Sequence, residues 1–142
     1  MNPNDLYKQT LLKHSRQPKN EQVLPRATHQ AKVINTLCGD EVTVYLELKD
    51  DIISSASFVG QCCSICKASA SMLTEKLPLL ELREAKQFSQ QLIDELKNKD
   101  QSLTLKEDDD LRSLEGVKQF TSRIRCATLP WEAFLKSQST DS

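Results

Sequence analysis

Between Ile52 and Leu77 the hydrophobic rhythm of the chain changes from a period of two to a helical one, and three cysteines sit at the changeover. Ile52, Ser54, Ala56 and Phe58 alternate with Ile53, Ser55, Ser57 and Val59, the pattern of a half-buried strand. Ala68, Met72, Leu73 and Leu77 then recur at helical spacing as far as Pro78. Between the two runs lies Gly60-Gln61-Cys62-Cys63-Ser64-Ile65-Cys66. Backbone N–H groups at a helix start are unpaired and carry partial positive charge, which favours a thiolate or a bound anion. The junction is suited to holding a metal or a reactive sulfur.

The flanking segments define the rest of the fold. Asn2-Pro3-Asn4-Asp5 reads as a helix start, and Leu6, Tyr7, Leu11 and Leu12 continue it to about His14, before Gln17-Pro18-Lys19-Asn20. An irregular connection follows to about Gln30. Ala31 to Asn35 is a short strand, and Val42, Val44, Leu46 and Leu48 alternate with polar neighbours in a second one. Asp50-Asp51 offers a tight hairpin into the third. These pieces predict a three-stranded antiparallel meander. A long amphipathic helix is expected from Leu80 to Asn98, an acidic connector at Lys106 to Asp110, and a short helix ending at Gly116. The last helix is expected from Arg123 or Cys126 to Lys136, with Trp131 and Leu135 inward and Pro130 kinking it unless it falls in the first turn. The expectation is an α+β fold, a small three-stranded antiparallel sheet packed against several helices. Residues 1–136 form one domain and 137–142 a disordered tail.

Composition narrows the function. Lys and Arg number 19 against 20 Asp and Glu, with no basic stripe interleaved with aromatics, so nucleic-acid binding has little electrostatic basis. No apolar run is long enough to cross a membrane, and Met1 to Lys8 lacks the apolar segment of a signal peptide, so the expected compartment is the cytoplasm. Three scattered glycines offer no phosphate cradle, and no nucleophile–base pair for hydrolysis or acidic cluster for magnesium stands out. Five cysteines, an odd count in a reducing compartment, point to metal binding or redox chemistry rather than structural bridges.

Cys38 lies in the turn Cys38-Gly39-Asp40, and Cys126 follows Arg123-Ile124-Arg125 near the start of the last helix. Both fall, with Cys63, at the ends of elements, where a loop-built site can gather them. The same residues have blander readings. A free cysteine is often a small buried hydrophobe, which suits Cys62 and Cys66. Asp40 reads also as a turn residue, His14 and His29 as surface or packing histidines, Arg125 and Lys67 as solvated cations, and Trp131 and Phe88 as core.

Cys38-Gly39-Asp40, then Cys63-Ser64-Ile65 with Ala68-Ser69-Ala70-Ser71-Met72, then Arg123-Ile124-Arg125-Cys126-Ala127-Thr128-Leu129 with Trp131, resemble the U-type iron–sulfur cluster assembly proteins. The likeness covers nearly the whole chain, including Leu6-Tyr7 and His14 ahead of Pro18. It implies the SufE/NifU-like, IscU-like fold. It also implies zinc or a nascent 2Fe-2S cluster held by Cys38, Asp40, Cys63 and Cys126. Arg125, where the IscU-like branch usually has His, makes the chain similar to the SufU-like branch. That branch implies a sulfurtransferase role. Cys38 would accept persulfide sulfur from a SufS- or IscS-like cysteine desulfurase, with downstream cluster acceptors.

Cys62 stands where the family usually has Gly, and Cys66 where it usually has Ser. Cys63-Ser64-Ile65-Cys66 is a C-x-x-C at a helix start, able to lower a thiol pKa, to form a disulfide, or to supply a fourth ligand in place of Asp40. Two further functions therefore stand beside cluster assembly: a thiol–disulfide redox protein using that pair, and a structural zinc-binding interaction module.

Overall fold

The computed structural model describes residues 3–106 and 108–139. Helix α1 (Pro3–Arg16) carries its helical pattern two residues past His14, while the capping Asn2 lies outside the described residues. Strands β1 (His29–Asn35), β2 (Asp40–Lys49) and β3 (Ile52–Gln61) form an antiparallel sheet in the order β1-β2-β3. The expected meander is therefore present, with β1 beginning two residues earlier than its hydrophobic pattern suggests. Asp50 and Asp51 both adopt positive φ (53° and 62°), the backbone that a two-residue hairpin with matching twist requires.

Register explains the inner face. Val44 lies between Ala31 and Phe58, and Leu46 between His29 and Ala56. Val42, Val44, Leu46, Ala56 and Phe58 are all buried. Helices α2 (Ser64–Lys76) and α4 (Ile124–Ser137) cover this face, α2 on β3 and α4 on β1 and β2. Helix α1 packs on α2, and α3 (Leu82–Lys97) packs on α4. With so few aromatics, Trp131, Phe58 and Phe134 are the largest fully buried side chains, surrounded by leucine, isoleucine and valine. Phe88 is half-buried and meets Trp131 at a ring-centroid distance of 5.7 Å.

Three stretches depart from the sequence expectations. The segment before α4 is a 3₁₀ helix, Asp110–Gln119, that runs straight through Gly116 instead of ending there. Asp109 caps it by accepting the Leu111 N–H at 2.9 Å and pairs with Lys76 at 3.0 Å, so this part of the acidic connector is anchored. Pro130 sits in the second turn of α4, outside the first turn that would accept it freely, and removes the donor for the Cys126 carbonyl in the helical ladder. The irregular connection after α1 also has a role: the Asn20 carbonyl accepts the Phe58 N–H at 3.0 Å, so this stretch covers the outer edge of β3.

Of the tail expected from Ser137 onward, Ser137 instead ends α4 and is buried with Gln138, whereas residues 140–142 lie outside those described. Among the described residues, no helix is long and apolar enough to cross a membrane.

Candidate metal centre

Three chain segments meet at one end of the sheet: the β1–β2 turn, the β3–α2 junction and the start of α4. Asn35, the last residue of β1, pairs with Asp40, the first of β2. Its carbonyl accepts the N–H groups of Cys38 (3.3 Å) and Gly39 (2.9 Å), and its Oδ1 accepts that of Leu37 (3.2 Å). Gly39 closes the turn at φ +73°, a conformation that costs other residues about 1–2 kcal/mol. On the neighbouring strand, Gly60 lies opposite Val42, and a Cβ there would stand 2.7 Å from the Glu41 carbonyl. The missing side chain lets the end of β3 run close against β2, which delivers Cys62 and Cys63 beside Asp40.

Asp40 is buried and is the hub of the site. One carboxylate oxygen accepts the Cys63 N–H at 3.2 Å, and the other lies 3.5 Å from Cys126 Sγ, whose thiol donates to it. Ligand atoms of Cys38, Asp40 and Cys126 all lie within 4.8 Å of one another. Cys38 is exposed and Cys126 is buried. The Cys63 sulfur is outside that closest set but near enough to Cys126 to act on its thiol. As the N-cap of α2, Cys63 adopts an extended backbone and spends no side-chain atom on the cap, which leaves its sulfur free for the site. Burial first, then the hydrogen bonds to Cys63 and Asp40, pushes the Cys126 thiol well above its ordinary range. A bound cation reverses that logic, because a coordinating thiol is deprotonated outright. Three sulfurs and one carboxylate are a donor set that suits zinc or iron–sulfur chemistry.

Cys66, the other half of the C-x-x-C, lies close enough to Cys63 to feel it electrostatically. It is fully buried in the first turn of α2, close enough to Cys62 for hydrogen bonding between the two thiols to move both pKa values. That hydrogen bond lowers the Cys62 thiol, against the opposing effects of burial and Asp40, and Lys67 adds to the lowering. The same hydrogen bond, with burial, pushes Cys66 far up. Lys67 also pairs with Glu21 at 3.5 Å. Arg125 turns from the thiols to Glu132 at 3.1 Å.

Two polar links went unread in the sequence. Ser69, fully buried, donates to the Ala127 carbonyl at 2.6 Å and accepts from Trp131 Nε1 at 2.9 Å. It pins the first turns of α4 to α2 and so holds Cys126 near Cys63. His14, also buried, lies 2.7 Å from Ser71 Oγ through Nδ1 and 2.8 Å from Asp110 Oδ2 through Nε2. It clasps α1, α2 and the 3₁₀ segment together. Glu75 completes a second group whose ligand atoms lie within 4.8 Å, though its carboxylates are half exposed. Serines buried among the alanines of α2 were the available signal for both links.

The NifU-like N-terminal domain family matches residues 6–127 of the chain. The zinc-dependent sulfurtransferase SufU of Bacillus subtilis is 36% identical over 137 residues, spanning 95% of this chain and 90% of that protein. The iron–sulfur cluster assembly scaffold protein IscU of Streptococcus pyogenes is 29% identical over 130 residues, 92% of this chain and 80% of that protein. The crystal structure of the N-terminal part of a NifU-like protein from Brucella abortus superposes with a TM-score of 0.82 at 19% identity, over 94% of this chain and 92% of that one, a likeness of fold.

Proposed function

The chain belongs to the NifU-like N-terminal domain family, and we propose that it works in iron–sulfur cluster assembly as a zinc-holding sulfur acceptor. The names of its relatives support the assembly role, and metal or cluster binding follows from the same likeness. Zinc is the occupant in this reading, held by Cys38, Asp40, Cys63 and Cys126 within one assembly domain of residues 1–136. A reducing compartment such as the cytoplasm suits five free thiols.

One observation carries the reading: an exposed cysteine, Cys38, shares a closest set of ligand atoms with a buried carboxylate and a buried thiol. Cys38 sits on a tight turn beside Leu37, which is 94% exposed, so a partner can reach its sulfur. Cys63 and Cys126 are held back on helix starts. The partner is a cysteine desulfurase that carries a persulfide. The Cys38 sulfur attacks the outer persulfide sulfur, leaving Cys38–S–SH and the desulfurase thiol. When bound, zinc supplies the positive charge that keeps the surrounding sulfurs deprotonated. Asp40 orients the site by holding the Cys63 N–H and facing Cys126.

The test is elemental analysis of aerobically and anaerobically purified protein, followed by reaction with a desulfurase and L-cysteine and mapping of the persulfide by mass spectrometry. One zinc per chain under both conditions and sulfur on Cys38 are expected. An iron chromophore in the anaerobic preparation would move the protein to a scaffold role. Sulfur on Cys126 and never on Cys38 would overturn the acceptor assignment.

A further inference from the structure

All five cysteines gather round one carboxylate, yet the proposed site uses only three. Asp40 lies in the closest set with Cys38 and Cys126, holds the Cys63 backbone, and acts electrostatically on both Cys62 and Cys66. The two unused thiols flank one helix start four residues apart, and the ladder that sets Gln61 against Glu41 leads Cys62 to the Asp40 end of β2. Cys62, half-buried, precedes the N-cap of α2, and Cys66, fully buried, stands three residues beyond it. Cys62 is thus the more accessible of the two, and Cys66 is closed off from solvent. Two buried apolar residues would fill this space equally well, so packing alone does not call for thiols at both positions.

We propose that Cys62 and Cys66 are a resolving dithiol that converts the sulfur carried on Cys38 into free sulfide. The inference rests on the acceptor reading of Cys38. In the first step the Cys62 sulfur attacks the outer sulfur of Cys38–S–SH. The S–S bond to Cys38 breaks, giving Cys62–S–SH and the Cys38 thiol with no net change of oxidation state. In the second step the Cys66 sulfur attacks the inner sulfur of Cys62–S–SH. A Cys62–Cys66 disulfide forms and hydrogen sulfide leaves, carrying the Cys66 proton. The sulfane sulfur gains two electrons and the two thiols lose them, so no external oxidant or reductant enters the release. A dithiol reductant then restores the pair for another round. The half-buried sulfur receives and the buried one resolves, which keeps the second thiol from reacting with solvent oxidants beforehand.

The experiment is a single turnover with reduced, desalted protein, a catalytic amount of cysteine desulfurase and one equivalent of L-cysteine, without added thiol. Free sulfide is trapped as its bimane adduct, and alkylated peptides are mapped by mass spectrometry. The wild-type protein is expected to release sulfide and to yield a Cys62–Cys66 linked peptide. Cys66→Ser should lose both and hold persulfide on Cys62. Cys62→Ser/Cys66→Ser should hold it on Cys38. Far-ultraviolet circular dichroism checks that each variant is folded. Equal sulfide from wild type and folded Cys66→Ser, or no linked peptide from wild type while the double variant carries sulfur on Cys38, would sink the inference and leave the acceptor reading standing. A folded double variant with no sulfur on Cys38 would remove the acceptor reading, and the inference with it.

Discussion

At the scale of single residues, Asp40 and Gly60 have separable roles that substitution can tell apart. Asp40→Asn keeps the size of the side chain and an oxygen able to accept the Cys63 N–H, but removes the charge that a metal needs. Losing a residue that merely supports a ligand already costs about 10–100-fold in metal affinity, so loss of the carboxylate itself should cost at least about that. The fold should be little affected, because a buried carboxylate with few donors is no great source of stability. Zinc content by elemental analysis should fall while the thermal melting of the metal-free protein stays near that of wild type. Gly60→Ala should do the reverse. Its new methyl would meet the Glu41 carbonyl at 2.7 Å and Val42 Cα at 3.2 Å, both backbone atoms that cannot swing away. The β2–β3 ladder must shift, at a cost of about 1–3 kcal/mol typical of overpacking, read from urea denaturation.

Between elements, two buried polar links hold the helices in place and give distinct signatures. Ser69→Ala leaves the Trp131 N–H and the Ala127 carbonyl without that partner, a loss of about 1–3 kcal/mol. Because the link sits beside Cys126, zinc binding should weaken with it, whereas Ser69→Cys or Ser69→Thr, which keep a donor, should recover part of both. Glu95 joins α3 to the connector that follows. Burial opposes its charge, but hydrogen bonds from Gln91 and from the Thr104 N–H and hydroxyl, with Lys118 nearby, outweigh burial and lower its pKa below the ordinary 4.5. A carboxylate lowered on folding stabilises the fold above its unfolded pKa, and that contribution is lost as pH falls through the folded value. Denaturation followed from pH 7 downward should show stability lost below about 4.5 in wild type and a flatter profile in Glu95→Gln. The elements themselves were largely legible. Alternation at Val42 to Leu48 and apolar spacing from Leu82 to Leu96 are side-chain patterns that burial on one face imposes. In β3, by contrast, the register shift beside Glu47 and Leu48 buries Ile53 and leaves Ile52 and Ser54 exposed, so the expected alternation of Ile52 to Val59 is not kept. The 3₁₀ segment was not legible, because Gly116 reads as a helix end although nothing near it demands a glycine; a Cβ there would meet Tyr7 only at an ordinary 3.9 Å. Nor was the pairing of residue 20 with β3, since a backbone-to-backbone bond leaves no mark on side-chain type.

Across the whole molecule, the site could be read from sequence only through motifs far apart in the chain, because what joins them is the fold. Cys38, Asp40 and Cys126 come together, with the Cys63 backbone held on Asp40, only once β2 pairs with both neighbours and α4 lies on the sheet. The C-x-x-C pair is split by depth: Cys63, the N-cap, is half-buried, and Cys66, already inside the helix, is fully buried. The same geometry decides what metal removal does. A metal at this site ties together the β1–β2 turn, α2 and α4, but the core of Trp131, Phe58, Phe134, Leu73 and Leu129 lies among the sheet and helices and needs no ligand to stay buried. Zinc binding should therefore raise stability without creating the fold. At free zinc about one hundred times its dissociation constant, linkage gives about 2.7 kcal/mol. For a chain of this size that corresponds to a melting temperature higher by about 5–10 °C. Chelation should lower the melting transition by that amount and leave a cooperative transition and native circular dichroism at 25 °C. In Cys126→Ser, added zinc should no longer move it. A chelated protein that is unfolded at 25 °C would instead place the metal among the structural supports of the fold, as in a small zinc domain.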